Sequence, residues 1–143
     1  MRISAEPFDA SLAAESAQEL RERYGADTEP GGPPAEVDVF LVARADDGGV
    51  LGCGGLRRLD DDGRVELKRM YVRPRARGRG VGRALLAALE AEARALGATH
   101  VVLETGSLQP DAISLYEEAG YRPIPCFGPY AGEPLSRCYQ RDL

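Results

Sequence analysis

Between Met70 and Arg83 the chain reads Met-Tyr-Val-Arg-Pro-Arg-Ala-Arg-Gly-Arg-Gly-Val-Gly-Arg. An apolar stretch ends at Val72, a turn rich in glycine and arginine follows, and a helical pattern starts near Val81. The first amides of a helix lack intrahelical acceptors and carry a partial positive charge, so this junction suits an anion. Gly78, Gly80 and Gly82 have no side chain to keep a phosphate from the backbone, and Arg73, Arg75, Arg77, Arg79 and Arg83 add fixed cations. The chemistry this composition points to is recognition of a phosphorylated ligand.

Spacing narrows the ligand. A Walker loop requires two glycines five residues apart followed by Lys and Ser or Thr, and no such run exists. A dinucleotide fingerprint needs GxGxxG early in a βαβ unit, whereas here glycine falls at every second position. RGG-type nucleic-acid segments are repeated and disordered; this one is short and runs straight into a helix. The chain as a whole carries a formal net charge of −5. A basic spot on an acidic body favours a small anion over a polyanion, so no nucleic-acid partner is expected.

The elements that must position this turn follow from periodicity. The 143 residues fit one domain, 1–143, with 43% hydrophobic and 29% charged residues. Residues 1–7 suggest a short strand. Leu12, Leu20 and Tyr24 suggest an amphipathic helix capped by Asp9 and ended by Gly25. Residues 25–36 are turn formers and make a loop. Strands over 37–43, 50–59 and 64–72, joined by Asp/Gly turns, form an antiparallel meander. Val81, Leu85, Leu86, Leu89, Ala93 and Leu96 recur at helical spacing, with Gly97 past the end. His100–Thr105 is then a strand parallel to 64–72, which makes a βαβ unit. Pro110 opens a last helix closed by Gly120, and 121–124 and 137–143 pair as terminal strands that offer edges to a partner. The expected fold class is a mixed α/β sheet with antiparallel N-terminal strands and a central βαβ unit.

Other classes of chemistry find little support. Cys53, Cys126 and Cys138 have no CxxC spacing and the sole histidine is His100, so no metal site is expected. No apolar run is long enough for a signal peptide or membrane helix, so the expected setting is cytoplasmic, with no membrane partner and reduced thiols. Neither Cys53 nor Cys126 has a histidine neighbour in sequence, which argues against an acylated-thiol intermediate.

Arg77-x-x-Gly80-x-Gly82 after Val72 and before Leu85-Leu86 resembles the acetyl-CoA signature of the GCN5-related N-acetyltransferases: Arg or Gln, two residues, Gly, one residue, then Gly or Ala. A second stretch, Ala112-Ile113-Ser114-Leu115-Tyr116-Glu117-Glu118-Ala119-Gly120-Tyr121, matches the family's later motif, with Gln109 where asparagine is usual. The resemblance covers roughly residues 64–122. It implies a GNAT-like acyl-CoA N-acyltransferase fold and acetyl-CoA as co-substrate, with the acetyl group passing directly to a primary amine of a small molecule or peptide.

By that resemblance the amides from Gly78 through Val81 and Gly82 cradle the pyrophosphate, and Arg77, Arg79 and Arg83 pair with phosphates. Met70 and Val72 offer backbone groups of a bulged strand to the pantetheine arm, and Gln109 an amide. The Met70 N–H also stabilises the oxyanion. Glu66 stands where histone-acetylating members place the general base, with Glu104 the alternative base or an acceptor anchor. Tyr116 stands where the family reprotonates the leaving thiolate. Acceptor specificity is expected from the first helix, the loop 25–36, Cys53-Gly54-Gly55 and the loop 125–134, where Phe127 and Tyr130 form a wall. The acidic residues Asp27, Glu29, Glu36, Asp38 and Glu133 would steer a cationic amine. The competing class is a non-catalytic acyl-CoA sensor or interaction module. Homodimerisation is left open.

Overall fold

The structure is a computed structural model that describes residues 1–24, 37–59, 62–107 and 109–143. The expected loop 25–36, including Gly25, Asp27, Glu29 and Glu36, lies outside the described residues, as does part of the turn at 60–63. The strands are β1 (Arg2–Ala5), β2 (Val39–Arg44), β3 (Val50–Arg58), β4 (Arg64–Val72), β5 (His100–Gly106), β6 (Arg122–Ile124) and β7 (Ser136–Asp142). The helices are α1 (Ala10–Tyr24), α2 (Val81–Ala95) and α3 (Pro110–Glu118).

One seven-stranded sheet runs β1-β2-β3-β4-β5-β7-β6. Its first four strands are an antiparallel meander, β4 and β5 are parallel, and β7 enters antiparallel between β5 and β6. The expected fold class is thus observed. One detail differs: β7 is an interior strand, so 137–143 offers no edge, and the edge beyond it is the three-residue β6. Pro123 within β6 lacks the N–H that an added strand would need.

The α2 face of the sheet holds the main core. Leu85, Leu86, Leu89 and Ala93 are at most 1% exposed and pack on Leu56, Val65, Leu67, Val101 and Leu103. Glu90 is buried on the same helix because Arg141 pairs with both its oxygens (2.9 and 2.8 Å) and Tyr121 donates to it at 2.9 Å. A buried carboxylate without such partners would be prohibitive.

The opposite face is covered by α1. Asp9 caps that helix, its side chain accepting from the Ser11 amide at 2.9 Å. Leu12 inserts beside Phe40, Val42, Cys53 and Tyr71. The rest of α1 docks through charge. Glu15 pairs with Arg73 at 3.1 Å, and Glu19, one helical turn on, pairs with Arg77.

Candidate active site at the β4–α2 turn and the β4–β5 cleft

The register of β3 and β4 slips between Cys53 and Gly55, so Arg69 and Met70 together oppose the single residue Gly54. This is a β-bulge. Arg69 takes φ +61°, in the left-handed region that a residue with a Cβ seldom occupies. Glycine is required opposite it. A Cβ on Gly54 would lie 2.6 Å from Met70 Sδ and 2.7 Å from Leu89 Cδ1, and one on Gly52 2.5 Å from the carbonyl oxygen of Tyr71. Cys53 is buried on the α1 face, and a Cβ on Gly55 would meet Val37 at 3.0 Å. Cys53-Gly54-Gly55, expected to shape acceptor specificity, are small because strand and helix pack against them.

Beyond the bulge β4 leaves its parallel neighbour. Pairing with β5 runs only from Arg64↔His100 to Leu67↔Leu103, after which β5 continues with β7 alone. The Arg73 amide donates to Leu51 at 2.9 Å, so by alternation Tyr71 also faces β3 while the N–H groups of Met70 and Val72 turn toward the opening between β4 and β5; Val72 O is already taken by Arg77 Nε.

After β4, Pro74–Ala76 makes a 3-10 turn, and Gly78 and Gly80 take φ +76° and +79°. A Cβ at either would meet nothing within 4 Å, so their glycine identity serves backbone conformation and outward access, not packing. Gly80 is the N-cap of α2 with no side-chain cap, and the first amide to bond back is that of Ala84, to Gly80 O at 3.0 Å. The amides of Val81, Gly82 and Arg83 are left for a ligand, as a helix N-terminus should leave them.

The arginines divide. Arg77 Nε donates to Val72 O at 2.9 Å and its guanidinium pairs with Glu19, so it ties α1 to the turn. Arg83 meets Glu118 at 3.5 Å with both side chains more than 60% exposed, a pair that an incoming anion can displace. Arg79 has no carboxylate partner among the described residues; with Arg73, Arg75, Glu15 and Asp47 it lines a groove of about 700 Å³ beside the turn.

On the α1 face, Glu66 is 3% exposed between three partners. Tyr130 Oη donates to its Oε2 at 3.1 Å, Lys68 Nζ approaches Oε2 at 3.4 Å, and Arg57 lies 3.8 Å from Oε1. Lys68 also donates to Tyr130 Oη at 2.8 Å. Glu104, on β5, accepts from Ser136 at 2.9 Å, and burial holds its carboxyl above the usual carboxylate range. Tyr130 sits in the loop expected to wall the acceptor, and Phe127 packs edge-on against it at 5.6 Å. Sequence reading missed its bond to Glu66.

Tyr116 stacks edge-on against Tyr121 at 5.9 Å in the α2-side core, and burial pushes its phenol well above its ordinary value. Its hydroxyl has no hydrogen-bond partner among the described residues. Gln109 is the N-cap of α3; its side-chain amide makes no hydrogen bond there and lies against Gly106. Among the described residues no group of His, Cys, Asp or Glu is arranged to hold a metal ion, and no helix is long and apolar enough to cross a membrane. Cys53 is buried and its thiol is pushed up to about 12, which suppresses the thiolate. The expectation of reduced thiols is corrected for the other two, since Cys126 and Cys138 form a disulfide that fastens the Tyr130 loop to β7.

Comparison with known proteins places this architecture. The sequence model of the acetyltransferase (GNAT) family matches residues 5–121, and the chain belongs to that family. An IAA acetyltransferase of Azospirillum brasilense is 45% identical over 110 residues, 76% of this chain and 71% of the relative. A solved structure from Klebsiella pneumoniae, described as an acyl-CoA N-acyltransferase, superposes with a TM-score of 0.81 at 36% identity, covering 99% of this chain and 97% of that one. PaiA N-acetyltransferase of Thermoplasma acidophilum, solved with coenzyme A, shares the fold at a TM-score of 0.73 and 18% identity over the whole of both chains. The protein is an N-acetyltransferase of the GNAT fold.

Proposed function

We propose that residues 1–143 act as one domain that transfers an acetyl group from acetyl-CoA to a primary amine by direct attack. The observation that carries this is the pair of features at one end of β4: a splayed, bulged strand with outward backbone groups, and a bare-glycine helix start one turn later. Coenzyme A has a peptide-like arm and a pyrophosphate, and the two features suit those parts in that order.

The free amides of Val81–Arg83 and the open backbone at Gly78 and Gly80 hold the pyrophosphate, with Arg79 and Arg83 as cations in reach. Met70 and Val72 hold the pantetheine arm with Gln109 opposite, and the Met70 N–H takes the oxyanion. Attack forms the N–C bond, collapse of the tetrahedral intermediate breaks the C–S bond, and coenzyme A leaves as thiolate, which takes up the second proton that the nitrogen gives off.

The amine gives its surplus proton to a carboxylate. Glu66 is the base by its place on β4. A second assignment, Glu104, is favoured by its raised pKa and by its pairing with the neutral Ser136 hydroxyl, where Glu66 has Lys68 and Arg57 beside it. Tyr116 remains a phenol at any working pH, so it donates a hydrogen bond to the departing sulfur; complete proton transfer to a thiolate with a pKa of about 8.5 would run uphill. The acceptor is sought by screening amines for release of free thiol from acetyl-CoA, alongside calorimetry of acetyl-CoA binding. Tight cofactor binding with no thiol release from any amine would favour a sensor.

A further inference from the structure

Most of the arginines that anchor this fold carry a carboxylate. Arg44 has Glu6, Arg73 has Glu15, Arg77 has Glu19 and Arg141 has Glu90. Arg69 is different. Its Nε is buried with no hydrogen-bond partner, and no ion pair to it exists among the described residues. Among the described residues its guanidinium meets the ring of Phe8, whose centroid lies 5.5 Å from the guanidinium carbon. An aromatic face attracts a guanidinium without neutralising it or satisfying its N–H donors.

The backbone adds weight. Arg69 occupies the left-handed region at φ +61°, a conformation that is strained for a residue with a Cβ. A glycine would relieve that cost, yet the bulge carries the largest of the cationic side chains. The bulge also puts two consecutive side chains, Lys68 and Arg69, on the α1 face. Lys68 and Arg57 each pair with Glu66 there, whereas Arg69 pairs with no carboxylate among the described residues. The peptide bond after Arg69 bears the Met70 N–H, the donor assigned above to the oxyanion. A group held by Arg69 therefore sits within one side chain's length of the reacting carbonyl, on the α1 face and away from the α2 N-terminus where the pyrophosphate is placed.

We infer that Arg69 is the anion subsite of the acceptor, and that the acceptor is a small amine bearing a carboxylate a few bonds from its nitrogen. The planar fork of a guanidinium donates two parallel bonds to a carboxylate, and Arg69 has no carboxylate among the described residues to occupy that fork. The Glu66 and Glu104 carboxylates on the same face receive the ammonium end. This rests on the amine-acetyltransferase reading and deepens it.

The test separates the two. The complex with coenzyme A, which cannot transfer, is titrated by calorimetry with alanine, β-alanine and 4-aminobutyrate, each against its own carboxamide. The expected result is that at least one carboxylate binds about tenfold or more tighter than its carboxamide, and that Arg69→Gln collapses this ratio to within about twofold while Arg69→Lys keeps part of it. Equal binding of carboxylate and carboxamide, no binding by any of the three, or an Arg69→Gln protein that keeps the ratio overturns the inference. Thiol release from acetyl-CoA is then read with the same compounds. Discrimination in binding without thiol release sinks the transfer reading and leaves the Arg69 site standing; thiol release indifferent to the carboxylate does the reverse.

Discussion

The hydroxyl of Tyr130 donates to Glu66 Oε2 at 3.1 Å across 64 residues of chain, and both side chains are less than 10% exposed. The bond joins the loop between β6 and β7 to the middle of β4. It therefore makes the position of the candidate base depend on a loop that has no regular secondary structure beyond one 3-10 turn at Gly128–Tyr130.

Tyr130→Phe should lower stability by about 1–3 kcal/mol, because a buried carboxylate loses a donor that Lys68 at 3.4 Å does not replace. Urea unfolding measures this. In initial-rate assays the variant should lose kcat while keeping its KM for acetyl-CoA, since the change lies on the acceptor face. An unchanged unfolding midpoint would mean that the bond contributes nothing.

Gly80 and Gly97 make a matched pair. Both have positive φ, +79° and +81°, and a Cβ at either meets nothing within 4 Å. Alanine at each should cost about the same 1–2 kcal/mol in backbone strain. Only at Gly80 would the methyl also obstruct a phosphate approaching the α2 amides. Calorimetry should then show Gly80→Ala weakening acetyl-CoA binding by about tenfold or more and Gly97→Ala leaving it near wild type. Equal effects would remove the phosphate from this turn.

Gly52 tests the close approach of β3 to β4 beside the bulge. Its absent Cβ would lie 2.5 Å from the Tyr71 carbonyl oxygen and 3.2 Å from Val72 Cα, both backbone atoms that cannot rotate away. Gly52→Ala should therefore push β4 outward and destabilise by about 1–3 kcal/mol. It should also weaken acetyl-CoA binding, since Val72 moves. Wild-type thermal stability together with wild-type affinity would contradict the tight packing that the two strands show.

What could be read from sequence was what local rules decide. The helix Val81–Ala95 announces itself by its 3.6-residue apolar period, the hairpins by their Asp/Gly turns, and the glycine turn by spacing alone. The missing parts are non-local. Nothing near 136–142 says that this strand enters between β5 and β6, because that depends on which edge β5 leaves open. Two thiols twelve residues apart carry no sign of pairing until Ile124↔Cys138 register brings Cys126 alongside. The link from Arg77 to Glu19 has no local signal, because the two lie 58 residues apart. The i,i+4 pair Glu15 and Glu19, on a helix whose apolar face buries little beyond Leu12, was a usable hint that α1 docks on the i,i+4 pair Arg73 and Arg77.

Glu104 gives a pH dependence of definite sign. Burial raises its folded pKa above the unfolded value near 4.5, so the folded state holds the proton more tightly. Its contribution favours folding below that unfolded value and declines as pH rises through the window up to the raised folded pKa. Glu104→Gln should flatten that decline, making the variant the more stable protein above the window, as urea midpoints taken every half pH step would show. Were Glu104 also the base, the acid limb of the pH–rate profile would vanish in this variant and persist in Glu66→Gln.

The disulfide is the last testable tie. Cys126 and Cys138 are separated by 12 residues and enclose the loop that presents Tyr130. Cross-linking a loop of that size limits the unfolded chain by about 3 kcal/mol in the loop-entropy treatment. Reduction, or the double change Cys126→Ser and Cys138→Ser, should lower stability by a similar amount. It should also reproduce part of the Tyr130→Phe loss in kcat, because the loop is released on the side nearest Glu66. Cys53 provides the internal check. Buried, with its thiol pushed up to about 12, it should stay silent to a disulfide-exchange thiol reagent in the native oxidised protein, with two fast-reacting thiols appearing only after reduction. A fast-reacting Cys126 in protein that has never met a reductant would show the two sulfurs to be unlinked, and the loop would then be held by Tyr130 alone.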